Sequence, residues 1–167
     1  MAIETYKTPI ALILSRQDLP TLDRKIYAAA DGLCLGAYIL SDAPNANPDL
    51  ILIASGSEVN LIVRAKDELV KHNIAVRLVS MPSWELFEAQ TIEYRNLVLP
   101  PHMHNRLVVE AGISHGWHRY AGDAGDIIGI DTFGASAPGD VMMREFGFTV
   151  EHVCYRALAL IKRNHHG

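Results

Sequence analysis

Short apolar runs alternate along this chain with longer stretches in which apolar positions recur every three or four residues. Residues 50–54, 75–80, 106–110 and 127–131 hold the runs Leu-Ile-Leu-Ile, Val-Arg-Leu-Val, Leu-Val-Val and Ile-Ile-Gly-Ile. Runs of this length without polar alternation suit strands buried on both faces. Residues 37–40 read as a shorter strand, and Asn45-Ala-Asn-Pro48 as a turn. Between the runs, Val59, Ile62, Val63, Leu69 and Val70 share one helical face, and 82–90, 92–98 and 112–120 read as short helices. Pro100-Pro101 ends the second of these. Pro138 suits a first helical turn and Gly147 a stop. Beyond it Val150, Val153, Cys154, Ala157, Leu158 and Ile161 form the stripe of a helix over 149–163. Strands alternating with helices predict an α/β fold: a doubly wound, mostly parallel sheet of about five strands with helices on both faces.

The N-terminal region breaks this rhythm. Pro9-Ile-Ala-Leu-Ile-Leu14 reads as a further buried strand, with Ser15-Arg16-Gln17-Asp18 emerging at its carboxyl end. Residues 18–36 then lose periodicity, and Pro20, Asp23, Arg24 and Gly32 mark a connector. A lone strand with no partner upstream predicts that the sequence was cut from a longer one. The expected division is residues 1–24, a terminal strand of a preceding domain plus linker, and residues 33–167, the α/β domain.

Composition narrows the function classes. The 167 residues are 49% apolar and 20% charged, with a formal net charge of −4 and no basic run, which predicts no nucleic-acid partner. No apolar stretch approaches the roughly 20 residues of a membrane span. The opening Met-Ala-Ile-Glu-Thr-Tyr-Lys has neither a basic nor an apolar segment of the secretory kind. Cys34 and Cys154 lie far apart without metal or redox spacing, so two reduced thiols in a cytoplasmic protein are expected.

Few residues offer chemistry. Arg16, just past a strand's carboxyl end, carries a permanent charge and a planar fork of donors suited to phosphate, or to a surface ion pair. Ser55-Gly56-Ser57-Glu58 stands where a helix begins. Ser55 and Glu58 have capping-box spacing, and the helix start could hold an anion were Glu58 not there to repel it. His102 and His104 alternate, and His115 and His118 could share a helical face, but neither pair has further ligands at a zinc-like spacing, so no metal is expected. Gly122-Asp-Ala-Gly125 reads as a surface turn. Trp84, Phe87, Trp117 and Tyr120 read as core before interface.

Several segments, taken in order, resemble transketolase: Leu14-Ser-Arg-Gln-Asp-Leu-Pro20, Ala54-Ser-Gly-Ser-Glu-Val59, Val79-Ser-Met-Pro-Ser-Trp-Glu-Leu-Phe87 and Tyr94-Arg-Asn-Leu-Val-Leu-Pro100. Val109-Glu-Ala-Gly112, Gly116-Trp117, Ile130-Asp-Thr-Phe-Gly-Ala-Ser-Ala-Pro138 and Phe146-Gly-Phe-Thr149 complete the series. The resemblance implies the last strand of a pyrimidine-binding domain followed by the C-terminal domain of a cytoplasmic homodimeric transferase of the pentose phosphate pathway. Such enzymes move a two-carbon ketol unit between sugar phosphates with thiamine diphosphate and a divalent cation (Mg or Ca). It further implies that Arg16 binds the sugar phosphate. The family's Gly-Asp-Gly cofactor motif and its catalytic glutamate are absent, so the resemblance assigns no catalytic residue here and predicts no activity for the chain alone. The loop Asp131-Thr-Phe-Gly134 corresponds to no catalytic residue of the family. A 2-oxo acid dehydrogenase β subunit and a stand-alone anion-binding or docking module are the alternatives.

Overall fold

The computed structural model describes residues 9–15 and 17–165. The apolar runs form β1 (Tyr38–Ser41), β2 (Leu50–Ala54), β3 (Val76–Ser80), β4 (Arg106–Val109) and β5 (Asp126–Ile128). They make one sheet in the order β1-β3-β2-β4-β5. The pairs β2–β3, β2–β4 and β4–β5 are parallel; only the edge strand β1 runs antiparallel, against β3. The helices are α1 (Glu58–Lys71), α2 (Trp84–Glu88), α3 (Ile92–Val98), α4 (His118–Ala121), α5 (Gly139–Glu145) and α6 (Val150–His165). Short 3-10 turns span Ala30–Leu35 and Pro44–Ala46.

Each residue of β2 and β3 is buried, because the alternating side chains enter two separate cores. Leu50, Leu52, Val76, Leu78 and Leu107 pack on the side covered by α1 and α6. Ile51, Ile53, Val79 and Val108 pack on the other, against Phe87 of α2, Val98 of α3 and Tyr120 of α4. The helical stripes match this arrangement with local shifts. On α1 the buried positions are Leu61, Ile62, Val63, Ala65 and Leu69, while Val70, predicted to face the core, lies on the flank and is exposed. On α6 Leu160 takes the buried place expected of Leu158.

Two expectations fail locally. Residues 9–14 form no strand; they have no ladder partner, and Leu12, Ile13 and Leu14 are exposed. An apolar run cannot become a strand without a neighbour to take its backbone groups. The capping box also does not form. Ser57 occupies the N-cap of α1 without a side-chain cap bond, and Ser55 Oγ donates instead to Glu110 at 2.8 Å. The caps made by side chains are elsewhere: Ser83 accepts from the Leu86 amide and Thr91 from the Tyr94 amide.

Two arginines fasten the short helices under the sheet. Arg77, 3% exposed in mid-strand, pairs through Nε and Nη2 with both carboxylate oxygens of Asp42 at 2.7 and 3.0 Å. Its Nη1 donates to the Leu97 carbonyl at the end of α3, at 2.8 Å. Arg106 donates to the carbonyls of Leu99, Pro100, Met103 and Tyr120. Both therefore satisfy carbonyl groups that a helix end or tight loop leaves without intrahelical partners. Gly36 admits the closest backbone approach: its φ is +82°, and a Cβ there would stand 2.1 Å from the Phe87 nitrogen.

Asp42→Ala should cost about 3 kcal/mol, because it leaves the Arg77 guanidinium buried without its counter-charge. Urea unfolding followed by tryptophan fluorescence would measure this. The double variant Asp42→Ala/Arg77→Met should recover part of the loss, since no orphaned charge remains. Equal destabilisation of the two would show that the carbonyl contacts of Arg77, rather than its ion pair, hold this corner.

Candidate functional site

The chain leaves β2 through α1 on one face, and leaves β4 through α4 on the other. The connections therefore diverge at the carboxyl ends of β2 and β4, the place where open α/β sheets form a ligand crevice. A cavity of about 380 Å³ lies there, lined by Ser55, the segment 81–85, Glu110, Gly112, Ile113, His115 and Trp117.

Its polar floor is a hydroxyl–carboxylate contact. Ser55 follows β2 and Glu110 follows β4; the 2.8 Å bond from Ser55 Oγ to Glu110 Oε2 ties the two neighbouring strand ends together. Burial raises the Glu110 carboxyl above its ordinary range. The Ser55 hydroxyl works against that shift, and the nearby Glu58 carboxylate adds to it. Glu58 is itself buried and accepts from Ser57 Oγ at 2.7 Å. On the opposite wall Ser83 Oγ donates to Glu85 at 3.1 Å. The aromatic wall is Trp84, standing edge-on to buried Trp117 with centroids 5.0 Å apart, and Tyr120 lies behind at 5.5 Å from Trp84. A Cβ at Gly116 would come within 2.6 Å of the Trp84 ring, so the missing side chain leaves room for the indole at this turn.

Of the residues singled out from sequence, Arg16 lies outside the described residues. Ser55 lines the cavity; Gly56 adopts φ +50° in the turn before α1, and Ser57 is engaged with Glu58. An anion here would face two carboxylates, so the electrostatics run against it. His115 reaches this cavity, whereas His118 lines a second, smaller one beside Asp126 and Asp131, so the pair is not brought together. His102 and His104 are exposed in the loop before β4. Among the described residues no three His, Cys, Asp or Glu converge as a metal site. Phe87, Trp117 and Tyr120 are core residues, as expected, and Gly122–Gly125 closes a turn through a Gly125 N–H bond to the Gly122 carbonyl. Asp131 accepts from the Ser114 amide at 2.8 Å, and bonds from Ser114 hold its carboxyl below the usual range.

Glu110 was not singled out by sequence reasoning. Its signal is a carboxylate placed at the carboxyl end of a buried strand, which pattern alone does not distinguish from a strand simply ending.

A carboxyl whose folded pKa is raised leaves the native state binding more protons than the unfolded one between the two pKa values. Stability then falls as pH rises through the folded value. Glu110→Gln should accordingly raise the melting temperature at pH 7, with the gain shrinking as pH drops toward 4. Thermal melts across that range would check it, and a variant less stable at pH 7 would show that the ionised carboxylate is required.

Comparison with known proteins places this architecture. Residues 36–149 match the family model of the transketolase-like TK C-terminal domain. The chain is 53% identical over 162 residues to the transketolase of Halalkalibacterium halodurans, covering 97% of this chain and 24% of that protein. A solved transketolase from Leishmania mexicana superposes with a TM-score of 0.73 at 43% identity, over 80% of this chain and 19% of that one. A Pichia stipitis transketolase in complex with sedoheptulose-7-phosphate superposes with a TM-score of 0.78 at 33% identity, over 88% and 20%. The chain thus spans about a quarter of the length of the curated relative it matches.

Proposed function

The chain belongs to the transketolase family, matching its C-terminal domain, and we propose that it serves as that part of an enzyme transferring a two-carbon ketol unit between sugar phosphates. The observation that carries the reading is 53% identity to a transketolase across 97% of the chain. It also favours transketolase over the 2-oxo acid dehydrogenase alternative and over a stand-alone binding module. In this reading residues 1–24 close the preceding domain and 33–167 form the C-terminal one. In the same reading the whole protein acts as a cytoplasmic homodimer.

Arg16 is the residue through which the chain would touch substrate. It sits in Ser15-Arg16-Gln17, the family pattern that supplies a phosphate ligand, and a guanidinium matches phosphate oxygens with paired, charge-assisted bonds. The Pichia stipitis relative was solved with a sugar phosphate, which supports that ligand class.

Thiamine diphosphate and a divalent cation supply the carbanion chemistry of such enzymes. The described residues here do not fit them: the cavity at the strand ends carries carboxylates but no lysine or arginine for a diphosphate, and no metal-ligand group converges. The cofactor accordingly belongs to other parts of the full-length protein, and the chain assayed alone should show no turnover.

The test is ketol transfer from xylulose 5-phosphate to ribose 5-phosphate by the full-length protein, wild type against Arg16→Ala. Losing the charge-assisted bonds should cost about 2–3 kcal/mol, read as a KM raised about 30- to 150-fold with kcat less affected. An unaltered KM would remove Arg16 from the site while leaving the enzyme. No turnover from folded, cofactor-loaded protein would overturn the reading.

A further inference from the structure

The cavity at the carboxyl ends of β2, β3 and β4 has no part in the proposed ketol transfer, and its chemistry is one-sided. Both serine hydroxyls that face it are already donated, Ser55 to Glu110 at 2.8 Å and Ser83 to Glu85 at 3.1 Å. Among the side chains left, the Glu110 and Glu85 carboxylates are the charged groups, and an ionised carboxylate accepts and does not donate. Among the described residues no lysine or arginine lines the space to neutralise the two carboxylates. The exposed His115 at the rim is the titratable group that could oppose them.

The third component is the aromatic wall. Trp84 packs in a T-shaped pair with Trp117, centroids 5.0 Å apart, and against the bare backbone of Gly116, contacts present before any ligand arrives. An indole face beside carboxylates, in a space of about 380 Å³, attracts positive charge by two routes, ring quadrupole and ion pairing. Inorganic anions are repelled by the same groups. A bare metal ion lacks the converging ligands it needs among the described residues.

We propose that this cavity is a binding site for a small organic cation, an amine or guanidinium compound, held between the Glu110 and Glu85 carboxylates and the Trp84 ring. A ligand of this class brings charged donors to the two carboxylates. The site is independent of Arg16 and of the ketol-transfer reading, so each can fail without the other.

Isothermal titration of the 167-residue chain with agmatine, which carries a guanidinium and a primary amine on a short aliphatic linker, tests this directly. One saturable site is expected at low salt, weakened at least about tenfold by Glu110→Gln and again by Trp84→Leu. Glu85→Gln, at the partly exposed start of α2, gives a second charge variant should the Trp84 change disturb folding. Ribitol and inorganic phosphate serve as neutral and anionic probes and should not bind measurably. Absence of saturable agmatine binding, binding unchanged in both glutamate variants, or tighter binding of ribitol or phosphate would each overturn the proposal.

Discussion

The structure turns on the two-sided burial of its central strands. Once β2, β3 and β4 present apolar side chains on both faces, neither face can be left to water, and the connections have to cover them. The long helices α1 and α6 cover one side as a pair of amphipathic stripes. The other side is covered by three helices too short to be stable by themselves. Arg77 and Arg106 resolve that weakness by donating from within the strands to carbonyls at the ends of those helices and loops. A buried guanidinium would ordinarily be a liability. Here Arg77 has the Asp42 carboxylate as its counter-charge, while burial lowers the pKa of Arg106, which has carbonyl oxygens alone around it.

The same covering pattern creates the crevice. The chain leaves β2 through α1 on one face and leaves β4 through α4 on the other, so the ends of β2 and β4 are neighbours without a connection filling the gap. Ser55 and Glu110 meet across it because parallel register sets Ala54 beside Val109. The raised Glu110 pKa and the Trp84–Trp117 wall are therefore consequences of topology as much as of local sequence.

Much of this was legible in the chain before any coordinates. The run at residues 50–54 and the helix at 92–98 coincide with β2 and α3, because short apolar runs and a proline stop are local signals. What failed was what depends on a distant partner. Ser55 has the spacing of a capping residue, yet a half-buried carboxylate 55 positions away claims its hydroxyl. Leu158 and Leu160 differ by two positions on one helix, and only the packing against α1 and the sheet decides which is inside. The antiparallel course of β1 has the same origin, since direction is set by the chain's path around the edge and not by Tyr-Ile-Leu-Ser. Glu110 was illegible for that reason too: its environment is assembled from β2, α1 and β4 together.

These features bear on how a family domain can lack the catalytic groups and still constrain the reaction. Phosphate recognition calls for a cation held at a defined height above the sheet, and the proposed one, Arg16, stands before the folded domain in sequence rather than within it. The crevice that the domain does build is acidic and could not substitute, because ionised carboxylates repel the phosphate that Arg16 would attract. Arg16 would carry positive charge, whereas the crevice lined by residues between 55 and 117 carries carboxylates. A phosphate suited to a guanidinium is not suited to carboxylates, so the crevice and the proposed Arg16 contact call for ligands of opposite charge.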